Sequence, residues 1–403
     1  MTNVLVLSRH RGPLDRRIVA EVNTLAASGR VVTLVSVPAV IPSACLDRRV
    51  RVVMPPGGGV AKGQHLQEAA RRLPFRVRML ARAAWYTLSR GPVPSSVQYF
   101  MQMTPQETFD VIHCHDLDTL PAAVALRHRL SPGAKLIYDS HELFPFQFQD
   151  RTWQRYWSRV EAEYIRAADL IITVNTSIAE ELARRYSIPP PAVIYNSYGS
   201  FNSISPVDEK GFLAHFGAEA AGFRVLFQGS LVREKNLDTL VKAFQRLQTS
   251  VQLFMLGGGP FEAHLKRLCS KLGIANVFFG SWVPQEELLG YVAHADLGII
   301  PYSGNGILNN RYCTPNKLFE FIEAEIPICA SDLPELRRII TGHGIGTVDA
   351  MENPEAMAMA IEACRVRCVR GEFTKAALHT ARETFAWEGQ GRKLLQLYEK
   401  LGV

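Results

Sequence analysis

Short apolar runs alternate with helix-length amphipathic segments along most of the chain, and this pattern constrains the fold more than any other feature. In the first half the apolar runs include Val4–Leu7, Val31–Val37 and Lys135–Tyr138, with the helical patterns Arg16–Ser28 and Leu120–Leu130 among the segments between them. Strands that are separated by helices run parallel, and a parallel sheet needs helices on both faces. The alternation therefore predicts an α/β fold with a doubly wound sheet.

The alternation is interrupted once. It weakens over residues 196–222, where Ser, Gly, Pro and Asn are interspersed, and begins again with the strand pattern Arg224–Gln228. A chain of 403 residues is also too long for one ordinary hydrophobic core. We therefore predict two Rossmann-like domains that face each other across a cleft, with a linker near Ser200–Pro206. The predicted boundaries are residues 1–203 and 204–386, followed by a last amphipathic helix within residues 387–403.

The cysteines and the apolar runs bear on the cellular compartment. The seven cysteines are scattered and show no paired zinc spacing, which indicates reduced thiols and a cytoplasmic protein. Arg9 and Arg11 interrupt the first apolar run, so we expect no signal peptide. The longest weakly polar stretch is shorter than the roughly 18 residues that a membrane-spanning helix needs.

Positive charge is concentrated in the first half. Residues 1–200 carry 24 Lys and Arg against 16 Asp and Glu, whereas residues 201–403 carry 21 against 22. This asymmetry indicates an anionic partner, although ordinary solvated arginines explain it equally well. Six arginines fall within Arg71–Arg90 beside aromatic side chains, which suits the inner face of a membrane as well as it suits a plain surface helix. No recognised nucleic-acid-binding module is present, so we do not expect nucleic acid as a partner.

Two polar segments of the second half have the composition of phosphate sites. The first, Gly229–Lys235, follows the strand pattern Arg224–Gln228. Gly229 lets a ligand approach the backbone, and Arg233 and Lys235 can neutralise a diphosphate. The alternative is an ordinary turn with exposed charges.

The second polar segment, Thr314–Ile322, leads into a helix pattern that stops before Pro327. Glu320 suits the two hydroxyls of a ribose, because one carboxylate can accept from both. The backbone amides of Leu318 and Phe319 are expected to face a phosphate at the helix start. The alternative for Glu320 is a capping carboxylate that the helix dipole favours. Together the two segments indicate an enzyme that uses a nucleotide sugar.

Polar residues also follow the strand patterns of the first half. His115 and Asp116 end one pattern, and Asp139–Glu142 follows the next, which places His141 to donate to a sugar hydroxyl or to position a reacting centre. These residue types can bind metals, but their spacing matches no recognised ligand set, so we expect no metal. Gly12 follows the first strand without a complete G-x-G-x-x-G motif, which argues against a nicotinamide or flavin dehydrogenase, and we expect no cofactor.

These motifs, in this order, resemble the retaining family-4 glycosyltransferases of the GT-B fold over nearly the whole chain. The resemblance is carried by Arg9–Arg17, Val111–Glu142, Gly229–Lys235, Val277–Tyr302, Pro315–Pro327 and Trp387–Leu401. It implies an N-terminal acceptor domain, a C-terminal donor domain and a last helix that packs back on the first domain. It also implies metal-independent hexosyl transfer with retention from a nucleotide-diphosphate sugar, a UDP-sugar first and a GDP-sugar second. The acceptor would be a glycan or a lipid-linked hydroxyl in a bacterial glycan, lipopolysaccharide or glycolipid pathway.

The family's functional residues map onto individual positions of this chain. Catalytic roles are implied for His141, Lys235 and Glu320. Lys235 and Arg233 match the basic pair that holds the diphosphate, and Glu320 matches the ribose-binding glutamate. Other substrate contacts are expected at Gly12, His115, Asp116, Gly229, Ser230, Trp282, Asn316, Lys317, Leu318 and Phe319.

Three positions depart from the family pattern. Many members have two glutamates with seven residues between them, and the first is Tyr312 here. The frequent Gly-Arg of the phosphate site is Gly229-Ser230. A glycine that usually ends the helix before Pro327 is Glu325, at a cost of about 1 kcal/mol if its backbone is left-handed. Two alternatives to a transferase stay open: a non-catalytic sugar-nucleotide-binding partner subunit, which Tyr312 motivates, and a GT-B enzyme that hydrolyses or epimerises a nucleotide sugar.

Overall fold

The structure is a computed structural model, and it describes residues 1–10, 12–40, 46–55, 77, 94–197, 206–219, 222–304 and 306–403. The chain forms two compact units. Unit 1 comprises Met1–Tyr195, Gly306–Asn309 and Gln390–Val403, and unit 2 comprises Asn196–Asn305 and Asn310–Gly389. The predicted linker, apart from Pro206, and the segment Arg71–Arg90, apart from Val77, lie outside the described residues.

Unit 1 is built on a seven-stranded parallel sheet. Along the chain its elements are β1 (Asn3–Ser8), β2 (Gly12–Pro13), α1 (Arg16–Ala27), β3 (Val31–Ser36), β4 (Ala39–Val40), β5 (Arg51–Val53), α2 (Pro94–Met103), β6 (Val111–His115), α3 (Leu120–Leu130), β7 (Lys135–Ser140), α4 (Arg151–Tyr164), β8 (Leu170–Thr173), α5 (Thr176–Tyr186) and β9 (Ala192–Val193). The strands lie side by side in the order β5-β3-β1-β6-β7-β8-β9, while β2 and β4 form a separate parallel pair. All the pairs are parallel, as the alternation predicts.

The local sequence explains where the central elements of unit 1 begin and pair. In β1 the residues Val4–Leu7 are completely buried, as expected for a parallel strand that is covered on both faces. Helix α1 begins after Asp15, whose carboxylate accepts a hydrogen bond from the backbone N–H of Arg17. Strands β6 and β7 pair so that His115 lies opposite Asp139. This register brings the polar residues at the ends of the two strands together.

Unit 2 is built on a six-stranded parallel sheet. From residue 209 to the end of the chain the elements are α6 (Glu209–Phe216), β10 (Phe223–Gln228), α7 (Leu237–Phe244), β11 (Val251–Leu256), α8 (Glu262–Leu272), β12 (Val277–Gly280), α9 (Leu288–Val292), β13 (Leu297–Ile300), α10 (Leu308–Arg311), α11 (Asn316–Glu323), β14 (Ile328–Ser331), α12 (Pro334–Leu336), β15 (Gly346–Asp349), α13 (Pro354–Val369), α14 (Lys375–Phe385) and α15 (Trp387–Lys400). The strands lie in the order β12-β11-β10-β13-β14-β15. The order changes direction at β10, and ligands of doubly wound sheets bind at such a switch point.

Two further sequence expectations concern the whole chain. No helix in the described parts of the chain is long and apolar enough to cross a bilayer. The six described cysteines form no disulfide, as expected of reduced thiols. Both predicted doubly wound sheets are present, so the prediction of the fold class is confirmed.

Candidate active site

A cleft of about 340 Å³ opens at the carboxyl edge of the sheet of unit 2. It lies where β10, β11 and β13 end, which is the edge at which α/β sheets bind ligands. Of the residues predicted to contact a donor, those that line the cleft are Gly229, Ser230, Lys235, Trp282, Asn316, Lys317 and Glu320. Two segments about 85 positions apart in the sequence therefore meet at one cleft.

Two amine groups meet beside Gly229. This residue has a φ of 115°, which favours glycine, and a side chain there would begin 3.6 Å from Nζ of Lys235 and 3.7 Å from Nζ of Lys317. The Lys317 amine lies 3.5 Å from the ring centroid of Phe227 and 5.0 Å from that of Tyr302. The Lys235 amine lies 5.7 Å from the Tyr302 ring. The floor of the cleft is therefore aromatic, with two cationic groups above it.

The amine of Lys317 is buried without compensation. The residue is 5% exposed, and among the described residues no hydrogen-bond acceptor reaches its Nζ. Burial, and then the neighbouring Lys235, lower the pKa of Lys317 well below its usual range. Burial also lowers the pKa of Lys235. A site that holds two amines in this way favours an anionic ligand.

Glu320 supplies the carboxylate of the cleft. It lies on α11, it is 7% exposed, and its Oε2 accepts a hydrogen bond from the side-chain amide of Gln228. Gln228 ends β10 and also lines the cleft. Sequence reasoning missed this residue, although its position at the end of a central strand is a signal that could have found it.

Three residues that were expected at the donor site do not line the cleft. The guanidinium of Arg233 lies 5.0 Å from the ring centroid of Phe261 and does not line the cleft. The backbone N–H of Leu318 donates to the carbonyl of Pro315 at 2.9 Å, inside the first turn of α11. The side chains of Leu318 and Phe319 are buried in the core. The basic side chains that line the cleft are thus Lys235 and Lys317.

The glycine-rich loop after β11 packs against the loop that carries Gly229. Gly257 has a φ of 136°, and a side chain there would begin 2.3 Å from the carbonyl oxygen of Gly229. A side chain at Gly259 would begin 2.4 Å from the carbonyl oxygen of Leu231. These glycines allow the two loops to approach each other. The indole of Trp282, 60% exposed, lies over the remaining glycine of this loop and lines the cleft.

Unit 1 contains a buried cluster of charged and imidazole groups at the carboxyl ends of β6 and β7. The guanidinium of Arg17 donates two hydrogen bonds to Asp139, at 2.9 and 3.0 Å, and its Nε lies 3.0 Å from Oε1 of Glu21. His113 and His115 complete the cluster, and all five residues are at most 2% exposed. Arg17, Glu21 and Asp139 were not predicted as site residues. Arg17 and Glu21 lie four positions apart among the apolar residues of α1, a signal that could have indicated a buried ion pair.

Protonation of this cluster follows from its contacts. Burial alone would raise the pKa of Asp139, but Arg17 and then His141 outweigh it and hold that pKa well below its usual range. Burial and the neighbouring Asp139 raise the pKa of Glu21 to about 8. Burial lowers the pKa of both His113 and His115. At neutral pH the charges of Arg17 and Asp139 therefore balance, and Glu21 is protonated.

His141 lies at the outer side of the cluster, with 12% of its side chain exposed. Its Nε2 is 3.0 Å from Nδ1 of His115 and 3.4 Å from Oδ2 of Asp139. Its backbone N–H donates to the carboxylate of Asp116 at 3.2 Å. Burial opposes a charge on His141, but Asp116 and Asp139 outweigh it and raise its pKa to about 10. His141 is therefore an imidazolium at neutral pH, which can donate hydrogen bonds but cannot act as a general base.

Three more sequence-predicted positions lie in unit 1. His115 and Asp116 belong to the cluster around His141, and Asp116 has a left-handed backbone with a φ of 65°. Gly12 lies in β2, which pairs with β4. The structure thus brings His115, Asp116 and His141 together, whereas Gly12 belongs to the separate strand pair of β2 and β4.

The cluster also contains metal-binding residue types. Donor atoms of four of its side chains lie within 4.8 Å of one another, and these belong to Glu21, His113, His115 and Asp139. The guanidinium of Arg17, however, lies 2.9 to 3.0 Å from both carboxylates. A metal ion would therefore sit beside a buried positive charge and would have to displace it from its partners. This arrangement opposes metal binding.

Comparison with known proteins identifies the family. Residues 222–365 match the family described as Glycosyl transferases group 1, and residues 43–198 match Glycosyltransferase Family 4. A curated relative, the uncharacterized glycosyltransferase MJ1607 of Methanocaldococcus jannaschii, is 24% identical over 313 residues, which cover 73% of this chain and 76% of the relative.

Solved structures share the fold over the whole chain. Sucrose-phosphate synthase from Thermosynechococcus elongatus has a TM-score of 0.73 at 19% identity, covering 100% of this chain and 99% of that chain. Anabaena HepE in complex with UDP and glucose has a TM-score of 0.68 at 14% identity, covering 99% of this chain and 100% of that chain. The predictions of a GT-B fold and of its family are confirmed. The chain belongs to the family-4 glycosyltransferases of the GT-B fold.

Proposed function

We propose that the protein moves a hexosyl group from a nucleotide-diphosphate sugar to a hydroxyl acceptor, with retention at the anomeric carbon. The observation that carries the proposal is the pair of amines of Lys235 and Lys317 beside Gly229, at the sheet edge where nucleotides bind. The donor domain would be residues 204–386 and the acceptor domain residues 1–203.

The donor would be held by complementary charge and hydrogen bonding. Lys235 and Lys317 would neutralise the diphosphate, and Glu320 would accept hydrogen bonds from the ribose hydroxyls. The exposed indole of Trp282 offers a surface for the base. A structural neighbour solved with UDP and glucose supports a UDP-sugar as the first candidate, with a GDP-sugar as the second.

The charge states favour chemistry in which the leaving group acts as the base. The bond from the anomeric carbon to the diphosphate oxygen breaks, the acceptor oxygen bonds to the same face, and the acceptor proton passes to a diphosphate oxygen. The two lysines would stabilise the charge that develops on the diphosphate. His141, already protonated, would donate a hydrogen bond to the reacting sugar or the acceptor. No step in this scheme uses a metal ion.

The pathway and location follow from the family and remain proposals. We propose a role in bacterial glycan, lipopolysaccharide or glycolipid synthesis, with a glycan or lipid-linked acceptor, in the cytoplasm at the inner face of a membrane. The segment Arg71–Arg90 is the proposed membrane contact, on the basis of its six arginines and its aromatic residues.

Nucleotide binding is the first test. Thermal unfolding is measured with UDP, GDP, ADP and TDP and with their common sugar conjugates, for the wild type and for Lys235→Ala and Glu320→Ala. A ligand at 100 times its Kd stabilises the folded protein by about 2.7 kcal/mol, which gives a measurable rise in Tm. A shift with one nucleotide that both variants lose would support the donor site and identify the base. The absence of a shift with every nucleotide would contradict the proposal.

The second candidate function is that of a non-catalytic partner subunit. It is motivated by Tyr312, because many members have at this position a carboxylate that they use for the donor sugar. A sugar-nucleotide-binding partner subunit would keep its cellular role after His141→Ala, whereas an enzyme would lose it. Incubating the nucleotide sugar without an acceptor and analysing the products separates a transferase from a hydrolase or an epimerase. Free sugar or a changed sugar would favour the latter two.

A further inference from the structure

The amine of Lys317 is buried beside a second amine, and these two factors favour its neutral form more than the Phe227 ring and Glu320 favour its charged form. It lies over the ring of Phe227, and no protein acceptor among the described residues bonds to its Nζ. The charged or titratable groups that face it are Lys235, Glu320, Cys313 and Tyr302. Lys235 opposes a second positive charge, and the carboxylate of Glu320 already accepts from Gln228.

A buried amine without an acceptor prefers its neutral form over its protonated, positively charged form. Removing an ammonium group from water without an acceptor is costly, so the neutral amine is favoured until an anion arrives. A diphosphate beside Gly229 would supply charge and acceptor oxygens within reach of both lysines. The balance between the two forms of Lys317 is then reversed.

We propose that Lys317 takes up a proton from solvent when the diphosphate of the donor binds, so that this lysine is a proton-linked anchor of the donor. The inference rests on the proposed function, because it needs a diphosphate in the cleft. The step is a protonation of Nζ with no other bond made or broken, and the ammonium then donates to phosphate oxygens. Release of the nucleotide returns the proton to solvent.

Proton uptake has a definite consequence for affinity. At pH values where Lys317 is already protonated in the unliganded protein, the affinity for a diphosphate does not depend on this group. At higher pH each binding event must take up a proton, so the affinity falls, by up to about tenfold for each pH unit. The terminal phosphate of UDP has a second pKa of about 6, so above about pH 7.5 this phosphate no longer titrates.

The test measures protons directly. UDP is titrated into the full-length protein by isothermal calorimetry at about pH 8.5, in two buffers of different ionisation enthalpy, and the difference in heat gives the protons taken up. We expect up to about one proton for each UDP bound by the wild type. Lys317→Arg keeps a permanent charge, so it should bind UDP with almost no proton uptake and a flatter pH dependence. Lys317→Met should bind UDP about 10- to 100-fold more weakly.

Lys235→Arg is the matched control, because it changes the other amine of the same cleft in the same way. The inference predicts that Lys235→Arg still takes up a proton. Binding of UDP by the wild type without proton uptake would overturn the inference and leave the donor site intact. Uptake that persists in Lys317→Arg and disappears in Lys235→Arg would also overturn it. Failure of the wild type to bind UDP or GDP would count against the proposed function as well as the inference. The presence or absence of nucleotide binding therefore distinguishes failure of the proposed function from failure of the inference alone.

A loss of UDP binding in Lys317→Met is not expected to come from a loss of folding. Lys317→Met removes a buried amine that has no partner among the described residues, so the variant should be at least as stable as the wild type. The Tm of each variant without ligand checks this. A loss of UDP binding with an unchanged or higher Tm assigns the effect to the amine.

Discussion

Replacing Asp139 by Asn removes one negative charge from the interior of unit 1 and changes little else in shape. Asp139 is completely buried and accepts two hydrogen bonds from the guanidinium of Arg17, at 2.9 and 3.0 Å. An asparagine can accept from Arg17 through one oxygen, but its NH₂ group then faces the other guanidinium nitrogen. Asp139→Asn would therefore leave Arg17 without its paired carboxylate, and Glu21, whose pKa Asp139 raises, would be the remaining carboxyl group beside it.

The expected loss of stability is large. Breaking a buried pair by removing one partner costs about 3–5 kcal/mol, because the remaining charge stays buried, and we expect the lower end of this range because Glu21 can ionise beside Arg17. Since 1 kcal/mol shifts the Tm of a domain of this size by about 2–4 °C, the Tm of unit 1 should fall by roughly 6–20 °C. Glu21→Gln provides the matched control, because Glu21 is the other buried carboxylate beside Arg17. Its pKa of about 8 makes it protonated at neutral pH, so glutamine resembles its native form and should cost little.

The pH dependence separates the two residues further. Glu21 has a folded pKa above its unfolded value, so its contribution to stability is present below about pH 4.5 and is lost as the pH rises through about 8. Asp139 has a depressed pKa, so its contribution is present at neutral pH and is lost only in acid. Glu21→Gln should therefore gain stability relative to the wild type as the pH is raised from about 4.5 to about 8, and the difference should stay constant at higher pH.

Urea unfolding of the two variants and the wild type at about pH 5, 7 and 9 provides the measurement, followed by tryptophan fluorescence, to which the buried Trp157 contributes from unit 1. Equal losses for Asp139→Asn and Glu21→Gln at pH 7 would refute the reasoning. So would a Glu21→Gln variant whose stability followed the wild type at every pH. Either result would mean that both carboxylates are ionised around Arg17.

Three further predictions concern single sites. The imidazole of His141 should stay protonated up to about pH 10 in an NMR titration, and Asp116→Asn should lower that pKa by about a unit or more; titration near pH 6.5 would contradict this. Adding Ser230→Arg to Lys317→Met should restore part of the lost UDP affinity, because position 230 lines the same cleft. If the double variant showed no recovery, positive charge alone would not account for binding of the diphosphate. Glu325→Gly should be about 1 kcal/mol more stable than Glu325→Ala, because both lose the carboxylate while only glycine relieves the φ of 53°, and equal urea midpoints would contradict this.

The strands could be predicted because each carries its own signal. Val4–Leu7 is a continuous apolar run and Val251–Leu256 is apolar apart from Gln252, as parallel strands buried on both faces require, and both form strands at those positions. Helix limits were harder to predict. The pattern Pro284–Ala293 forms a helix only over Leu288–Val292, because the residues before it make turns. Strands of two residues, such as β2 and β4, have no periodicity from which to predict them.

The cleft of unit 2 could be predicted in part for the same reason. Lys235, Lys317 and Glu320 follow strands of a doubly wound sheet, and residue type and position together indicate a ligand site. Arg233 has the same residue type, but it starts a short 3₁₀ turn that ends at Asn236, a left-handed residue, and its guanidinium lies against Phe261. Sequence spacing does not show where a flexible side chain points.

The buried cluster of unit 1 was not predicted because it depends on contacts between distant positions. Arg17 and Asp139 are 122 positions apart in the sequence, and nothing local in either segment indicates the other. The strand β7 also continues two residues beyond the predicted end at Tyr138, through Asp139 to Ser140. This extension turns Asp139 from an expected loop residue into a core residue.

The buried charged groups of unit 1 have partners within the protein, whereas the amines of unit 2 do not have matching anions among the described residues. This difference indicates that the cleft of unit 2 is the one suited to an anionic ligand. In unit 1 the guanidinium of Arg17 is matched by Asp139, and the imidazolium of His141 lies between Asp116 and Asp139, so the charges compensate one another within the protein. In unit 2 the amine of Lys317 lies beside that of Lys235, and its carboxylate neighbour, Glu320, is itself hydrogen-bonded to an amide. Folding alone does not explain two adjacent amines, one of them buried with no acceptor among the described residues, since apolar residues there would be more stable. The charge that is missing from unit 2 is the charge that a diphosphate would bring.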